Sequence, residues 1–296
     1  MKPADLPSRM RPLTPVERGI LWPVVYASIF DAPVQVTRLR DLVVGAPATD
    51  EEISQALSGP ALGAFLSQEG GLISLKGHDV SEIFERRAAS TRDLLIKNAP
   101  ILSFVRGLPH VRFAALSGAC AHESAEDGDI DVFVVTEEGA LWRTLLWSTL
   151  VSKARGWRRV LCLNYLVDAT AQSLPGRDFY GAFELISLKP LKGEDALAGL
   201  LEQNQWAQPM FPNFFRARLH GQNPGNKPLT ASGGKLLEAT ARMIHRPYLR
   251  RRLPGSSGIE LSDHVVRLHS TDHRDRLRGL FQDALKNIGV EAPPWI

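Results

Sequence analysis

The stretch ALSGACAHESAEDGDIDVFVV, residues 115–135, combines two apolar runs with a polar loop between them. The first run ends in the small residues Ser117 and Gly118, and the second begins with Asp129 and Asp131. Apolar runs of this length, bounded by small and polar residues, predict two buried strands joined by a loop. The second strand would therefore open with two carboxylates, which are seldom buried without a partner.

The two aspartates need a compensating charge. Residues two apart on a strand point to the same side, so Asp129 and Asp131 share a face and lie about 7 Å apart along the strand. Two carboxylates so placed repel each other unless a cation lies between them. Mg²⁺, or Mn²⁺ with the same oxygen preference, fits because it leaves positions for substrate phosphates. The alternative is that Asp129 caps the strand and Asp131 faces solvent.

The sequence around this pair alternates between strands and helices. It predicts strands at 111–116, 129–135 and 158–167, and helices at 141–156 and 179–188. Such alternation indicates an α/β or α+β domain with a small mixed sheet. We expect the three strands to be neighbours in one sheet, with the helix at 141–156 packed on it.

The N-terminal unit, residues 1–95, has a different pattern. A helix is predicted at 15–30 and a short second helix follows it, while Thr49 and Glu52 form a capping box at the start of a third. GGLISLKG, residues 70–77, predicts a hairpin. Three helices and a hairpin resemble a winged-helix domain. Its candidate recognition helix opens with three acids and has no Arg or Lys, which argues against DNA binding and favours a protein-contact or structural role.

Composition excludes some classes of protein. The net charge of +3 does not by itself indicate a nucleic-acid partner. Cys120 and Cys162 both lie in apolar runs, which fits a reducing, cytoplasmic setting better than a disulfide framework. No run of about 18 apolar residues occurs, and the N-terminus lacks the apolar core of a signal peptide. We therefore expect a cytoplasmic protein without a membrane partner.

A glycine turn, a short loop and then Asp-x-Asp on the next strand resemble the nucleotidyltransferase superfamily typified by DNA polymerase beta. The resemblance covers roughly residues 96–190. It implies that Gly118 admits the phosphates of a nucleoside triphosphate, and that Asp129 and Asp131 bind the catalytic metal ions.

The resemblance also implies a division of the chain. The N-terminal winged-helix-like unit with its linker helix would occupy 1–95, the nucleotidyltransferase core 96–195 and a C-terminal helical region 196–296. Four further stretches are similar to bacterial proteins known only as containing a nucleotidyltransferase domain: YASIFDAPV, CLNYLV, DFYGAFELISLKPL and NQWAQPMFPN.

The glycine turn departs from the superfamily pattern. Superfamily members usually carry serine after the glycine, and its hydroxyl bonds a phosphate oxygen. This chain has Ala119 at that position. Ser117, on the other side of Gly118, is the candidate replacement.

The third carboxylate of the superfamily has three candidates. Asn164 stands in mid-strand where an acid is expected, and an amide cannot take a proton at neutral pH. Asp168 has the same strand parity as Asn164 but lies roughly 13 Å further along. Glu184 lies in an otherwise apolar helix, where a salt bridge to Arg177 or a nearby lysine is the alternative. We place Glu184 first as a catalytic residue.

The segment 233–255 concentrates positive charge. Arg242, Arg246 and Arg250 follow at four-residue spacing and share a helical face if Pro247 permits a continuous helix. Such a face suits a triphosphate, a phosphorylated acceptor or RNA, and we expect Arg242 and Arg246 to bind the nucleotide. The alternative is a solvated basic face.

These residues support two hypotheses about function. The first is a magnesium-dependent enzyme that transfers a nucleoside monophosphate from a nucleoside triphosphate to an unidentified acceptor, which is a small molecule, a protein or RNA. The second is a catalytically reduced protein of the same fold that acts as a nucleotide-binding or regulatory module. The second is motivated by Ala119 and by the third carboxylate, for which Glu184, Asp168 and Asn164 all remain candidates.

Overall fold

The structure, a computed structural model, describes residues 11–126, 128–220, 234–252, 258–268 and 273–296. The chain begins with α1 (Pro15–Ser28), β1 (Val34–Gln35), α2 (Val36–Leu42), α3 (Asp50–Ser58), α4 (Pro60–Gly63), β2 (Leu66–Glu69) and β3 (Leu72–Leu75). The strands form a small antiparallel sheet in the order β1-β3-β2. The capping box at α3 is confirmed, because Thr49 Oγ1 accepts from the Glu52 amide at 3.2 Å while the Glu52 carboxylate accepts from the Thr49 amide at 2.8 Å.

The central part continues with α5 (Ser81–Lys97), α6 (Ala99–Arg106), β4 (Val111–Leu116), α7 (Gly118–Ala121), β5 (Ile130–Thr136), α8 (Leu141–Ala154), β6 (Leu161–Asp168), α9 (Phe179–Ser187) and β7 (Lys189–Lys192). The last part contains α10 (Ala196–Glu202), α11 (Pro212–Leu219), α12 (Lys235–Arg252), β8 (Ile259–Leu261), β9 (Val265–Leu268) and α13 (Arg274–Asn287).

A six-stranded mixed sheet organises the central and last parts, in the order β7-β4-β5-β6-β9-β8. The pair β5–β6 is parallel and the other pairs are antiparallel. The prediction of three neighbouring strands at 111–116, 129–135 and 158–167 is confirmed by β4, β5 and β6, as is the mixed α/β class. The starts differ, because β5 begins at Ile130, after Asp129, and β6 begins at Leu161, after a 3-10 turn at Trp157–Arg159. The sequence did not indicate the edge strand β7, because Pro190 favours the end of a helix. Proline is tolerated there, since an edge strand has one side without a ladder partner.

The two faces of this sheet bury different helices. Phe133 and Val135 face a core that includes α1, α9, α11 and α13, while Val132 and Val134 face a core that includes α6, α8 and α12. By strand alternation, Asp131 belongs to the face of Phe133. It therefore lies on the side of the sheet that the N-terminal unit covers.

Tyr26 of α1 connects the N-terminal unit to this face. Its ring makes edge-on contacts with Phe179 and Phe183 of α9 and with Phe281 of α13, at centroid distances of 5.1, 4.9 and 5.2 Å. Aromatic pairs of this geometry add stability beyond the area they bury. The N-terminal unit is thus held against the sheet by a shared aromatic core.

Two buried asparagines, at the ends of NQWAQPMFPN, secure long-range contacts. Asn213 donates to the carbonyls of Arg40 and Ala48 and accepts from the Ala48 amide, with all three distances between 3.0 and 3.1 Å. Asn204 joins α10 to the loop before α9 by accepting from the Leu174 amide at 2.8 Å. This stretch therefore has a structural role, because it ties the last part of the chain to the N-terminal unit.

In the part of the chain that the structure describes, no helix is both long and apolar enough to cross a membrane. Residues 1–10, to which part of the expectation about a signal peptide applied, lie outside the described residues.

Candidate functional site

Ser117, Gly118 and Asp131 meet where β4 ends and α7 begins. The Ser117 amide donates to the carbonyl of Asp131 at 3.0 Å. Gly118 has φ +54°, and a Cβ atom there would lie 2.7 Å from Oδ2 of Asp131. The carboxylate thus takes the space of the missing side chain, in a backbone conformation that favours glycine. Cys120 Sγ donates to the carbonyl of Asp129 at 3.4 Å, which holds the second aspartate beside the same turn.

A β-bulge in β6 changes which side chains face this corner. Asp131 lies opposite Cys162 and Phe133 lies opposite Tyr165, so β6 has one extra residue between these pairs. A bulge of this kind re-aims side chains locally. As a result both Asn164 and Tyr165 line the cavity described below. Ser117 Oγ donates to Oδ1 of Asn164 at 3.4 Å, so the serine considered as a phosphate contact is already bonded within the protein.

Asp168 lies away from this corner. It pairs with Thr136 at the far end of β5, six residues along β6 from the partner of Asp131, which is roughly 20 Å by strand rise. Its buried carboxylate accepts from Thr170 and lies 2.9 Å from Nδ1 of His264. Asp168 therefore stabilises the end of β6, and it lies too far from the corner to be the third carboxylate.

Glu184 remains beside the corner, with a partner that the sequence did not indicate. Oε1 of Glu184 lies 3.3 Å from Nε2 of His122, and the imidazole ring stacks on Phe183 with an interplanar angle of 12°. Both Glu184 and His122 line the same cavity as Asp131. Nothing in the local sequence indicates this pairing, because the two residues lie 62 positions apart in the chain.

The cavity has a volume of about 770 Å³ and lies between the N-terminal unit, the corner of the sheet and α13. Its lining combines apolar side chains with groups of both charges, as ligand sites usually do. The arginines among them are Arg38, Arg87, Arg267, Arg274 and Arg276. The acids are Asp31, Glu123, Glu126, Asp131 and Glu184.

Tyr26 forms part of the cavity wall and carries a buried hydroxyl with no hydrogen-bond partner among the described residues. Burial, together with the nearby Glu184 carboxylate, raises the pKa of this phenol well above its ordinary value. Tyr26 therefore stays neutral and keeps an unused donor at the cavity wall.

Arg242 and Arg246 do not line this cavity. The helix α12 continues through Pro247, which is the condition for these arginines to share one helical face. It packs on α8, however, on the other side of the sheet. Arg242 pairs with Asp263, and the buried Nε of Arg246 has no partner among the residues described. The spacing predicted which residues share a helical face, whereas long-range packing decided where that face lies. Residues 233 and 253–255 of the basic segment lie outside the described residues.

The corner offers oxygen donors to a cation. They are the carboxylate of Asp131 and the side-chain oxygens of Ser117 and Asn164, while Asp129 is located beside the turn by its backbone carbonyl. Within the described ranges, no three His, Cys, Asp or Glu side chains form a group that could hold a metal ion. Mg²⁺ is commonly held by one or two carboxylates and completed by phosphate oxygens and water. The donor set therefore fits a cation that binds together with a phosphate-bearing ligand.

The pair Asp168–His264 should make stability depend on pH. The hydrogen bond to Asp168 raises the pKa of His264. Burial by itself raises the pKa of Asp168, but hydrogen bonds from Thr170, His264 and Gly139 outweigh it, so the pKa of Asp168 lies below its usual value. The stabilisation from the histidine is fully present below its unfolded pKa, near 6.5, and is lost as pH rises through the higher folded value. The stabilisation from the aspartate is present above about pH 4 and is lost as pH falls through the lower folded value.

We therefore expect the wild-type protein to exceed His264→Ala in Tm most clearly at about pH 5.5, with a smaller difference at about pH 9. The effect is modest because the His264 side chain is 58% exposed. Thermal unfolding of both proteins across this range measures it. A difference in Tm that does not change with pH would contradict the assignment.

Comparisons of the chain with protein-family models, with curated proteins and with solved structures found no match.

Proposed function

We propose that the chain is a magnesium-dependent nucleotidyltransferase that transfers a nucleoside monophosphate from a nucleoside triphosphate to an acceptor. The observation that carries this proposal is the close contact between Gly118 and the Asp131 carboxylate, at the edge of a cavity also lined by arginines. A backbone turn without a side chain, an acidic pair and a set of cations are the parts that binding a metal–polyphosphate complex requires. The finer fold assignment, a polymerase-beta-type core behind a winged-helix-like unit, belongs to the same proposal.

Asp129 and Asp131 would hold the cations in this reaction. When bound, Mg²⁺ supplies activation of the attacking oxygen and stabilisation of the departing pyrophosphate. The carboxylates orient this complex against the Gly118 turn, where the absence of a side chain leaves room for phosphate oxygens. The cavity arginines neutralise the remaining phosphate charge.

Glu184 would serve as the general base. Asn164 occupies the strand position where the superfamily carries an acid, and its amide cannot accept a proton. Glu184 lies on the same cavity wall and is held by His122 at 3.3 Å. It accepts the proton of the acceptor hydroxyl as that oxygen attacks the α-phosphorus, and pyrophosphate leaves.

A second candidate is a nucleotide-binding module without transfer activity. The observation that favours it is Asn164 itself, which is buried and bonded to Ser117. With this asparagine the corner retains a cation site but lacks a strand carboxylate beside it. Binding without turnover is the expected behaviour of such a protein.

Two measurements on the wild-type protein test these candidates. Magnesium with one of the four nucleoside triphosphates should raise Tm, whereas either component alone should not, and EDTA should reverse the effect. A ligand at 100 times its Kd adds about 2.7 kcal/mol to the free energy of unfolding. The absence of a shift with every triphosphate would contradict both candidates.

Transfer is then tested with α-phosphate-labelled nucleotide. Label that moves to RNA, to protein or to a small-molecule fraction, with release of pyrophosphate, supports the enzyme. Magnesium-dependent binding without any transfer of label supports the binding module.

A further inference from the structure

Arg38, on α2 of the N-terminal unit, is a partly buried cation that lines the cavity. It comes from the unit that carries no residue of the Asp129–Asp131 pair, so the cavity is a joint construction of two parts of the chain. The aromatic contacts of Tyr26 hold these parts together at the same cavity.

The two acids that act electrostatically on Arg38, Asp41 and Glu123, are already paired with other cations. Asp41 forms an ion pair with Arg218 at 3.1 Å. Glu123 forms an ion pair with Lys189 at 2.7 Å and also accepts from Gln35 at 3.2 Å. Arg38 itself makes no hydrogen bond or ion pair with any residue that the structure describes.

Other arginines of the cavity differ in this respect. Arg87 donates to the backbone carbonyl of Phe30 at 2.8 Å and pairs with Glu126 at 3.2 Å. Arg267 donates to the carbonyl of Gly258 at 3.0 Å. These contacts give Arg87 and Arg267 a structural role, whereas no group among the described residues accepts a hydrogen bond from Arg38.

A guanidinium removed from water without an acceptor is unfavourable. Burial lowers the pKa of Arg38, although Asp41 and Glu123 act in the opposite direction. The group nevertheless stays charged, because the pKa of arginine lies far above neutral pH. An unpaired charge that is partly removed from water lowers stability unless another group pairs with it.

We infer that Arg38 binds an oxyanion of the ligand, a phosphate group, so that the N-terminal unit is part of the substrate site. Guanidinium matches phosphate oxygens with two parallel hydrogen bonds. The inference rests on the proposed function in taking this cavity as the nucleotide site. The phosphate belongs either to the polyphosphate of the donor nucleotide or to a phosphorylated acceptor.

The test compares Arg38→Gln with Arg40→Gln. Arg40 lies on the same helix, is exposed and pairs with Asp50 at 2.9 Å, so it is a matched control outside the cavity. Loss of a charge-assisted contact should weaken binding by about tenfold or more. The ligands for calorimetry are magnesium with inorganic tripolyphosphate and magnesium with the triphosphate that gives the largest Tm shift. The Tm of ligand-free Arg38→Gln should equal or exceed that of the wild type, because an uncompensated charge is removed.

The two sources of phosphate give different results. If Arg38→Gln weakens tripolyphosphate and nucleotide alike while Arg40→Gln does not, Arg38 holds the donor. The other outcome is that Arg38→Gln binds nucleotide with unchanged affinity. In that case wild-type protein saturated with a non-hydrolysable nucleotide should still bind inorganic phosphate, whereas saturated Arg38→Gln should not. This result would mean that Arg38 holds a phosphorylated acceptor. Equal affinities of the two variants in every titration would overturn the inference.

If Arg38→Gln does not fold, Arg38→Lys keeps the charge without the planar fork and should show a smaller loss in the same titrations. Unchanged affinity of the lysine variant for all three ligands would likewise count against phosphate binding by two parallel hydrogen bonds. Failure of the inference is distinguishable from failure of the proposed function. In the first case nucleotide binding still requires magnesium, and in the second no magnesium-dependent binding exists.

Discussion

Replacing both Asp129 and Asp131 by asparagine should abolish the magnesium-dependent increase in Tm that a nucleoside triphosphate produces. The double variant removes the Asp131 carboxylate beside Gly118 and the Asp129 carboxylate just before β5, and asparagine offers a neutral oxygen in place of a charged one. Transfer of label from the α-phosphate should disappear as well. The ligand-free variant should remain folded, because asparagine has nearly the shape of aspartate and the substitutions remove two negative charges only two residues apart.

A matched control is available on exposed helical positions. Asp93→Asn with Asp283→Asn removes the same number of carboxylates from exposed sites outside the cavity lining. This control should keep the full magnesium-dependent shift, measured by thermal unfolding with and without EDTA. If the Asp129–Asp131 variant also kept it, the acidic pair would be a feature of the strand end and the proposed function would be wrong.

Gly118→Ala should weaken nucleotide binding while the protein remains folded. An alanine Cβ would lie 2.7 Å from Oδ2 of Asp131, so the carboxylate would have to swing away from its position. The atom that moves is the end of a side chain, and the left-handed backbone costs alanine about 1 kcal/mol. We therefore expect a small loss in the free energy of unfolding but a loss of nucleotide affinity of at least about tenfold, or about 1.4 kcal/mol.

Gly156→Ala separates these two effects. Gly156 has φ +72°, and no atom of the described residues lies within 4 Å of the position that an alanine Cβ would take. Alanine there carries the backbone cost without displacing a carboxylate. Chemical denaturation should give similar stability losses for the two variants, and calorimetry should show normal affinity only for Gly156→Ala. Normal nucleotide affinity in Gly118→Ala would mean that the position of the Asp131 side chain is irrelevant to binding.

The sequence by itself determined the elements whose signals are local. The capping box of Thr49 and Glu52, the three central strands and the helix at 179–188 were readable from residues within a few positions of one another. Such signals work because helix caps and strand alternation depend on nearby backbone and side-chain geometry. The closeness of Gly118 to the aspartates was also accessible, since one loop joins their strands.

Only the tertiary structure decided which other residues reach the cavity. The bulge in β6 turned both Asn164 and Tyr165 toward the cavity, and the register of β5 with β6 placed Asp168 opposite Thr136 at the far end of the strand. The packing of α12 on α8 put Arg242 on the far side of the sheet. These outcomes depend on contacts between segments far apart in the chain.

The same reason explains the residues that were missed. Pairing of His122 with Glu184 joins positions 62 apart. Arg38 lines the cavity because the N-terminal unit packs against the sheet, with Tyr26 contacting α9 and α13 and Asn213 holding Arg40 and Ala48. Periodicity specifies which side chains share a face, but the free energy of burying that face against a distant partner selects where it lies. The sequence therefore determined the acidic pair and its turn, and tertiary packing determined the cations and the candidate base around it.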